Sequence, residues 1–553
     1  MKNKMIAMDA GSTNCTLKIV YEDGASEFIE NELGKKITPV NILIGKKDGE
    51  EHTLIGEHAK DQSVIFPDRH FTNWKREMGS KKTIRIVDGK EYTPEILSGI
   101  MFKQKKKEAE EYCGSEIKEI LITVPVTYNA TQKEAVKDAG VLAGFERDNI
   151  HIRLESDAAV KSADAHNDFR GSVCCLDCGG STTDVTVCNV TESEIRVQFT
   201  KGDQNFAGKE FDNCMVTLVK KIITENIKAS KISDSQKKEL ICSLNSLTPY
   251  AAQELKLNAE KAKEDLTKLQ KTAFPFCFAK GEKGTTNVQV TKEQYEKACE
   301  EELLPHFRQF LKELKDEAKE NGMEINYMVL TGGSSNIPCI QKEVEKAFPD
   351  SDIRVKNPEF SICEGAALMA AELLGVDKND KKQSGTKQDN TESGSGKKFI
   401  AACNAAYGVK AYVVDCEDES GNIVERKKVC NLLYRNSPLP ASFERQFWTH
   451  EDGQKCVVVS IYESDLMNES VLELSQCTCI AQSTLEFKDK LPKGSEITIK
   501  MCLDEDYVLH TEAFEKTGGT SIETSVTVTN GMNNEELDNG KKVVEDIFDR
   551  NAG

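Results

Sequence analysis

Leu176-Asp177-Cys178-Gly179-Gly180-Ser181-Thr182-Thr183-Asp184 joins two apolar runs through a glycine- and hydroxyl-rich turn flanked by aspartates. Ser172 to Leu176 is apolar and rich in Val and Cys, the composition of a buried strand, and Val185 to Val190 reads the same way. Two glycines and a run of hydroxyls between them predict a tight turn. With no bulky Cβ in the way, backbone N–H groups there can approach an anion closely. Asp177 and Asp184 cannot help a bare phosphate, but they can hold water on a divalent cation that bridges phosphates. An ordinary hairpin with turn-favouring residues is the plain alternative for one such turn taken alone.

The turn has a twin. Ile6-Ala7-Met8-Asp9-Ala10-Gly11-Ser12-Thr13-Asn14 repeats the plan of apolar strand, Asp, Gly and hydroxyls, and Thr16 to Val20 resumes the strand. Two such units predict two lobes that each bring a phosphate-binding turn to a shared cleft. A third glycine turn, Leu330-Thr331-Gly332-Gly333-Ser334-Ser335, follows the apolar strand Tyr327 to Leu330.

The chain has 553 residues, room for two to four domains, and a net charge of −19, which argues against a nucleic-acid partner. No run approaches the length of a membrane-spanning helix. The N-terminus enters a motif-bearing strand directly, without a signal-peptide core, so a cytoplasmic location is expected. Nineteen cysteines are scattered, mostly in apolar strands, as reduced buried thiols would be. Cys175 and Cys178 lie at an offset that puts them on opposite faces of a strand, which favours packing over zinc binding. Core packing is the expected role of both thiols, with a redox-sensitive Cys178, which lies in the phosphate turn, as the alternative.

Residues 1–375 alternate strands and helices, the α/β pattern. Lys75, in Phe71-Thr72-Asn73-Trp74-Lys75-Arg76, is a candidate phosphate contact, with a surface lysine as the alternative. Arg153 to Ala159 reads as the start of a helix. Glu155 there either stabilises the helix dipole or orients a water for attack on a phosphate. Gly202 to Lys209 resembles a P-loop but has the wrong spacing and Glu210 where Ser or Thr belongs, so a Walker-type site is rejected. Met215 to about Lys271 reads as helical, Gly281 to Val290 as a hairpin, and Thr291 to Asn321 as one long amphipathic helix. Asn357-Pro358 opens a last helical unit. Residues 376–398 are nearly all polar and cannot bury a core; they predict a flexible linker spanning about 25 Å. Residues 399–530 show period-two strands, a separate β domain of sandwich type. In residues 531–553, Asn533 or Asn534 can cap a short helix with the apolar stripe Val543, Val544, Ile547 and Phe548.

With these motifs in place the chain resembles the heat-shock protein 70 chaperone family over nearly its whole length. The two acidic turns, Thr123-Val124-Pro125, Lys137-Asp138-Ala139-Gly140, Gly202-Asp203, Phe211-Asp212 and Thr331-Gly332-Gly333-Ser334 fall in the family's order. Arg435-Asn436-Ser437-Pro438-Leu439-Pro440, Ile461-Tyr462-Glu463 and Ile497 to Leu509 do so in the β domain. The resemblance implies an actin-like (ribonuclease H-like) two-lobed ATPase domain, a peptide-binding β-sandwich and a short lid helix. It implies ATP, ADP, magnesium and potassium as ligands. By it, Lys75, Glu155, Asp177 and Thr182 are catalytic, Glu155 being the carboxylate that couples nucleotide to domain motion, and Asp9 and Asp177 bind magnesium through water. Asp9, Gly11, Ser12, Thr13, Asn14, Gly179, Gly180, Ser181, Asp184 and Gly208 surround the phosphates. Glu260, Lys263, Thr267, Gly332, Gly333, Ser334, Asn336 and Glu359 line the nucleoside pocket, and Pro125 is the switch proline. Ala411, Val458, Val459 and Ile461 are the expected peptide cleft. Extended apolar peptides, a J-domain co-chaperone and a nucleotide exchange factor are the implied partners of a monomer; a membrane is not.

The chain departs from the family pattern at several points. Glu264 and Asn336 stand where the family stacks adenine between arginines, so weaker adenine selectivity is expected, each lost contact being worth roughly 0.5–2 kcal/mol. The acidic, leucine-rich linker is replaced by a polar tract before Phe399-Ile400-Ala401-Ala402-Cys403, and Asn-Glu-Pro-Thr by Leu154-Glu155-Ser156-Asp157. The lid is cut to one helix, and no Glu-Glu-Val-Asp tail exists, so bound peptide is expected to leave quickly. A nucleotide-gated adaptor or passive holdase is the second reading. A sugar or acid kinase of the same superfamily is the third, and it gives the β domain no role.

Overall fold

The structure, a computed structural model, describes residues 3–47, 50–167, 169–276, 286–355, 358–375, 397–417, 423–466, 469–516, 520–525 and 531–551. Most of the expected linker (376–396), the first half of the expected hairpin (281–285) with the four residues before it, Asn357 and residues 526–530 lie outside them; the described hairpin strands are Lys271–Phe276 and Thr286–Thr291.

Two six-stranded sheets repeat one plan. In the first, Ile150–Leu154, Glu119–Val124 and Lys4–Ala10 run parallel, and Asn14–Tyr21 and Ser26–Phe28 continue antiparallel, with Thr38–Pro39 also on Asn14–Tyr21. In the second, Asp352–Val355, Tyr327–Thr331 and Gly171–Cys178 are parallel, followed by antiparallel Thr183–Val190 and Glu194–Asp203. Each acidic turn is the hairpin after the third strand of its sheet. Asp9 therefore sits opposite Thr16, and Asp177 opposite Asp184. Strands covered on both faces need continuous apolar runs rather than alternation. Hence Cys174 and Cys175 are both fully buried but belong to cores on opposite sides of their sheet.

Helical boundaries follow local chemistry that hydrophobic periodicity alone does not register. The stretch expected to be one helix from Thr291 is two, Lys292–Glu302 and Leu304–Glu320. Pro305 has no N–H to give the earlier helix and is suited to a first turn. The stretch from Met215 is three helices, Gly208–Ala229, Asp234–Asn245 and Pro249–Lys268. Ser233 and Thr248 restart the chain by accepting from Gln236 N and Ala251 N. Arg153 and Leu154 belong to a strand, and the helix begins at Glu155.

The later chain forms two antiparallel sheets. One orders Val471–Leu472, Ile423–Leu433, Ala406–Glu417, Gln454–Ser464 and Thr478–Leu491. The other orders Ala441–Trp448, Glu496–Leu503, Leu509–Glu515 and Thr520–Ser525. Their inner residues, among them Tyr407, Val409, Leu485, Ile499 and Met501, share a core cluster with residues of the first six-stranded sheet. Lys397 and Lys398, expected at the end of the linker, are ordered instead. Lys398–Ile400 adds a parallel sixth strand to the second α/β sheet beside Glu194–Asp203. The final helix, Asn534–Asn551, is capped reciprocally by Asn533 and Glu536. It packs on Pro94–Cys113 and Ala130–Leu142, burying Val544 and Ile547. No described helix is long and apolar enough to cross a membrane.

Candidate functional site

Three glycine turns converge between the two α/β sheets. A Cβ on Gly180 would overlap Thr13 of the opposite turn, so only glycine lets the two acidic turns meet. The third turn closes on the second: Ser334 Oγ donates to Gly179 O at 2.8 Å. Gly208 N donates to the same oxygen at 3.0 Å, and a Cβ on Gly208 would stand 2.6 Å from Ser334 Oγ. Gly332 has φ +78°, and a Cβ there would overlap Asp177 and the Cys178 carbonyl. Gly333, by contrast, faces open space.

Beneath the turns lies a pile of carboxylates. Oxygen atoms of Glu155, Asp177 and Asp184 come within 4.8 Å of one another, all three side chains being buried. Thr331 Oγ1 donates to Asp177 Oδ1 at 3.2 Å, whereas Asp184 has only the Thr182 side chain and Thr127 backbone nearby as donors, with no well-formed hydrogen bond, and Ser181 Oγ is buried without one. Lys75, buried in the turn Trp74–Glu77, pairs with Glu155 Oε1 at 2.7 Å. Burial first, then Glu155, raises Asp9 to about 7 and Asp184 to about 7. Burial, then Glu155, Asp184 and Asp9, pushes Asp177 well above the carboxylate range. Like charges so placed call for a cation.

Hard oxygen ligands, orphaned carboxylate oxygens and adjoining glycine turns fit a magnesium–phosphate group. Glu155, Asp177 and Asp184 form the tight group, and Asp9 stands beside it. Asp184 was legible as a partner, because the hairpin register sets it directly across from Asp177, where two carboxylates repel unless a cation intervenes.

The sign of the pH effect follows. Between the ordinary carboxyl value of 3.8 and about 7, the folded protein holds more protons at Asp9 and Asp184 than the unfolded chain. Stability of the ligand-free protein should therefore fall as pH rises through that window. Magnesium with ADP should raise the melting temperature more at about pH 8 than at about pH 5. An equal rise at both values by scanning calorimetry would contradict a cation among these carboxylates.

The remaining expected residues are distributed as follows. Gly11, Ser12, Thr13 and Thr182 are half-buried around the turns, and Asn14 is exposed. Glu260, Lys263 and Thr267 lie along one face of Pro249–Lys268. Lys60 pairs with Glu260 at 2.9 Å and Lys263 with Asp212 at 2.8 Å, so this helix grips residues on both sides of the cleft. Asn336 is exposed and donates to Gly333 O at 3.2 Å. Glu359 is exposed beside Pro358, whose carbonyl accepts from Gly332 N. Cys178 packs in the core, as expected, rather than standing as a redox-sensitive thiol. It is fully buried, accepts from Thr183 Oγ1 at 3.3 Å, and burial pushes it up to about 12.

Arg76, Tyr128 and Asn404 are additions. Arg76 Nη2 donates to Ser181 O at 2.6 Å, tying the lysine turn to the second acidic turn. Tyr128 Oη donates to Lys75 O at 2.6 Å. Asn404 Nδ2 donates to Val126 O and Tyr128 O, each at 3.0 Å. Glu463, from the strand Gln454–Ser464, accepts from Ala130 N at 3.1 Å. A segment two residues from Lys75's carbonyl clamp is thus held by the antiparallel sheets. Arg153 with Asp506, and Tyr507 Oη with Asp157 Oδ2 at 3.1 Å, extend that contact. No local sequence pattern signals these pairs, which join positions hundreds of residues apart.

The expected peptide cleft needs correction. Val459 and Ile461 are 4% and 2% exposed, facing the core, and offer a ligand no surface. Val458 points the other way and is half exposed, and Ala411 is half-buried. The strands Ala406–Glu417 and Gln454–Ser464 pair only at Ala406–Val409 with Ile461–Ser464. Beyond, Lys410 to Val414 pair with Ile423–Leu433, and Cys456 to Ser460 with Thr478–Leu491. The sheet therefore parts between them. Tyr412, Val414 and Val458, on these two strands, are exposed, and Tyr412 stacks on His450 with ring centroids 4.0 Å apart.

Comparison with known proteins follows the same outline. The family model described as "Hsp70 protein" matches residues 5–383. The chain is 27% identical to "Chaperone protein DnaK" of Thermotoga neapolitana over 552 residues, covering 99% of this chain and 83% of the relative. It is 27% identical to the protein of that name from Thermosipho africanus, and 28% to that from Thermosipho melanesiensis, each over 555 residues with the same coverage.

Proposed function

The chain belongs to the Hsp70 protein family, and from that premise we propose that it is an ATP-driven chaperone whose two halves are physically coupled. It is an ATPase, hydrolysing ATP to ADP and phosphate, and a chaperone that binds extended apolar peptide segments. The observation that carries the reading is the convergence of three glycine turns on the buried Glu155, Asp177 and Asp184 group beside Lys75. We read residues 1–375 as an actin-like two-lobed domain and the two antiparallel sheets as a β-sandwich.

In this reading the glycine turns admit the phosphates and exclude side chains from their path. Lys75 stabilises charge developing on the transferred phosphoryl group. Glu155, fixed by Lys75, orients the attacking water and takes its proton. Thr182 and Ser181 direct hydroxyls at the phosphates, and Arg76 holds that turn against the lysine. Asp177 and Asp184, with Asp9 near them, would hold magnesium, which when bound would supply positive charge to the phosphates. Glu260, Lys263 and Thr267 receive the nucleoside, and with Glu264 and Asn336 beside it ATP and GTP should bind with comparable affinity. A potassium ion is the remaining inorganic ligand of the proposal.

The parted strands, with Val458 and Tyr412 exposed on them, suit an extended segment that adds backbone pairing and side-chain contacts. Described cysteines are free thiols, in keeping with a reducing cytoplasm. A J-domain helper and an exchange factor acting on a monomer complete the proposal.

A labelled extended apolar peptide tests it. Magnesium–ATP should speed its dissociation at least about tenfold, and Val458→Asp should weaken binding by a similar factor. Dissociation indifferent to nucleotide would favour a passive holdase.

A further inference from the structure

The strand Ala441–Trp448 ends its sheet. Glu496–Leu503 pairs with it on one side, and no described strand pairs with it on the other. Such an edge leaves alternate backbone N–H and C=O groups facing outward, ready for another strand. Phe443, Arg445 and Phe447 share its inner face, across from Met501, Ile499 and Ile497, which are all buried. Phe443 is nonetheless 49% exposed. Beside the edge runs a groove of about 350 Å³, lined by Phe443, Glu444, Arg445 and Gln446 together with Asn431 and Tyr434. Four consecutive strand residues span about 13 Å, so the groove follows the strand and matches the length of a short extended segment.

Arg445 supplies the charge. Among the described residues it has no carboxylate partner, and its guanidinium lies 5.8 Å from the centre of the Phe447 ring. Glu444 and Gln446 belong to the opposite face by alternation, across from Lys500 and Thr498. The inner face of the edge thus carries one charge, a cation between two aromatic rings. An inward charge deters an apolar strand from pairing there. A strand with a carboxylate opposite Arg445 is favoured instead, since opposite charges directly across two strands attract and arginine can hold a carboxylate by two parallel bonds. A second copy of this edge would bring only another Arg445 to the same face, so self-pairing is disfavoured. The groove is separate from the parted strands: Asn431 lies on Ile423–Leu433, on the far side of Ala406–Glu417 from that gap.

We propose that the open edge of Ala441–Trp448 is a second peptide site, which takes an extended segment whose groove-facing residues run apolar, acidic, apolar at spacings of two. The acidic residue meets Arg445, and β-branched apolar residues meet Phe443 and Phe447. Backbone pairing with the edge supplies affinity that does not depend on sequence, and the Arg445 contact supplies the selection. The pattern reads the same in both chain directions, so parallel and antiparallel segments are both admitted. The site goes beyond the chaperone reading above, whose segments are apolar and lie between the parted strands.

The test titrates the full chain against a dye-labelled Ile-Thr-Glu-Thr-Ile peptide, with binding read by fluorescence anisotropy. The same peptide with Lys in place of Glu should bind at least about tenfold more weakly. Arg445→Glu should reverse that order and favour the Lys peptide, which a general loss of folding does not do. If Arg445→Glu folds poorly, Arg445→Gln should bind the two peptides alike. An unlabelled, wholly apolar extended peptide should leave the labelled peptide bound, and Val458→Asp should leave its affinity unchanged. Displacement by the apolar peptide, or weaker binding in Val458→Asp, would put the labelled peptide between the parted strands and overturn the proposal. Equal affinity of the parent for the Glu and Lys peptides, or no binding of either, would overturn it too. So would a concentration-dependent dimer that the Glu peptide does not dissociate, since a second copy would then hold the edge. Failure of the chaperone reading would show in the nucleotide and Val458 measurements above and would leave this titration to be judged by itself.

Discussion

Lys75→Ala is expected to slow single-turnover ATP hydrolysis by about 10²–10³-fold while nucleotide still binds, the loss typical of removing one preorganised charge from a transferring group. Lys75 is the cation that counteracts the upward push on both Asp9 and Asp184. Its Nζ also fixes Glu155 at 2.7 Å. The substitution therefore removes the phosphoryl contact and frees the carboxylate that orients water. It also leaves Glu155, 5% exposed, without its ion pair. Rapid-quench measurement checks this. A rate within about threefold of the parent would remove Lys75 from the chemistry.

Gly365→Ala is expected to cause the largest loss of stability of any single methyl addition. The new Cβ would lie within the carbonyl of Ala158, and backbone atoms cannot rotate aside as a side chain can. The helices Ser361–Leu373 and Glu155–Asn167 would have to move apart. Overpacking of this kind costs about 1–3 kcal/mol or more. A fall in melting temperature of about 2–12 °C should follow, at roughly 2–4 °C per kcal/mol for a cooperative unit of about 150–250 residues. Because Glu155 opens one of those helices, hydrolysis should fall too. Gly333→Ala is the control: nothing lies within 4 Å of its added Cβ, so calorimetry should show little change. A melting point for Gly365→Ala equal to that control would refute the close approach.

The phosphate turns were legible because their chemistry is local. Glycine for close approach, aspartate for the cation and hydroxyls for the turn all sit within nine residues, twice over. The duplicated strand plan followed from them. Helix breaks were legible in principle too, since Ser233, Thr248 and Pro305 carry the signals, but apolar spacing runs through them unchanged. The choice of peptide-facing residues was not legible. Val457, Val458 and Val459 are apolar on both faces, so alternation cannot say which face meets the core until the register with Thr478–Leu491 is known. Nor was docking between the halves legible. The clasp of Asn404 on Val126 and Tyr128, and of Lys397 on Asp164, joins residues more than 200 positions apart. A polar tract in place of the family's acidic, leucine-rich linker suggested loose coupling. The structure places the lysine that ends that tract in a buried ion pair. A lone lysine in sequence reads as solvated, because its burial depends entirely on a distant carboxylate.

Single-turnover ATP hydrolysis by the full chain, with and without an extended apolar peptide, addresses the coupled chaperone most directly. Peptide should raise the rate several-fold, and Lys75→Ala should abolish hydrolysis in both conditions. A rate that depends on Lys75 but is the same with and without peptide would contradict coupling and leave an ATPase joined to an independent binding module.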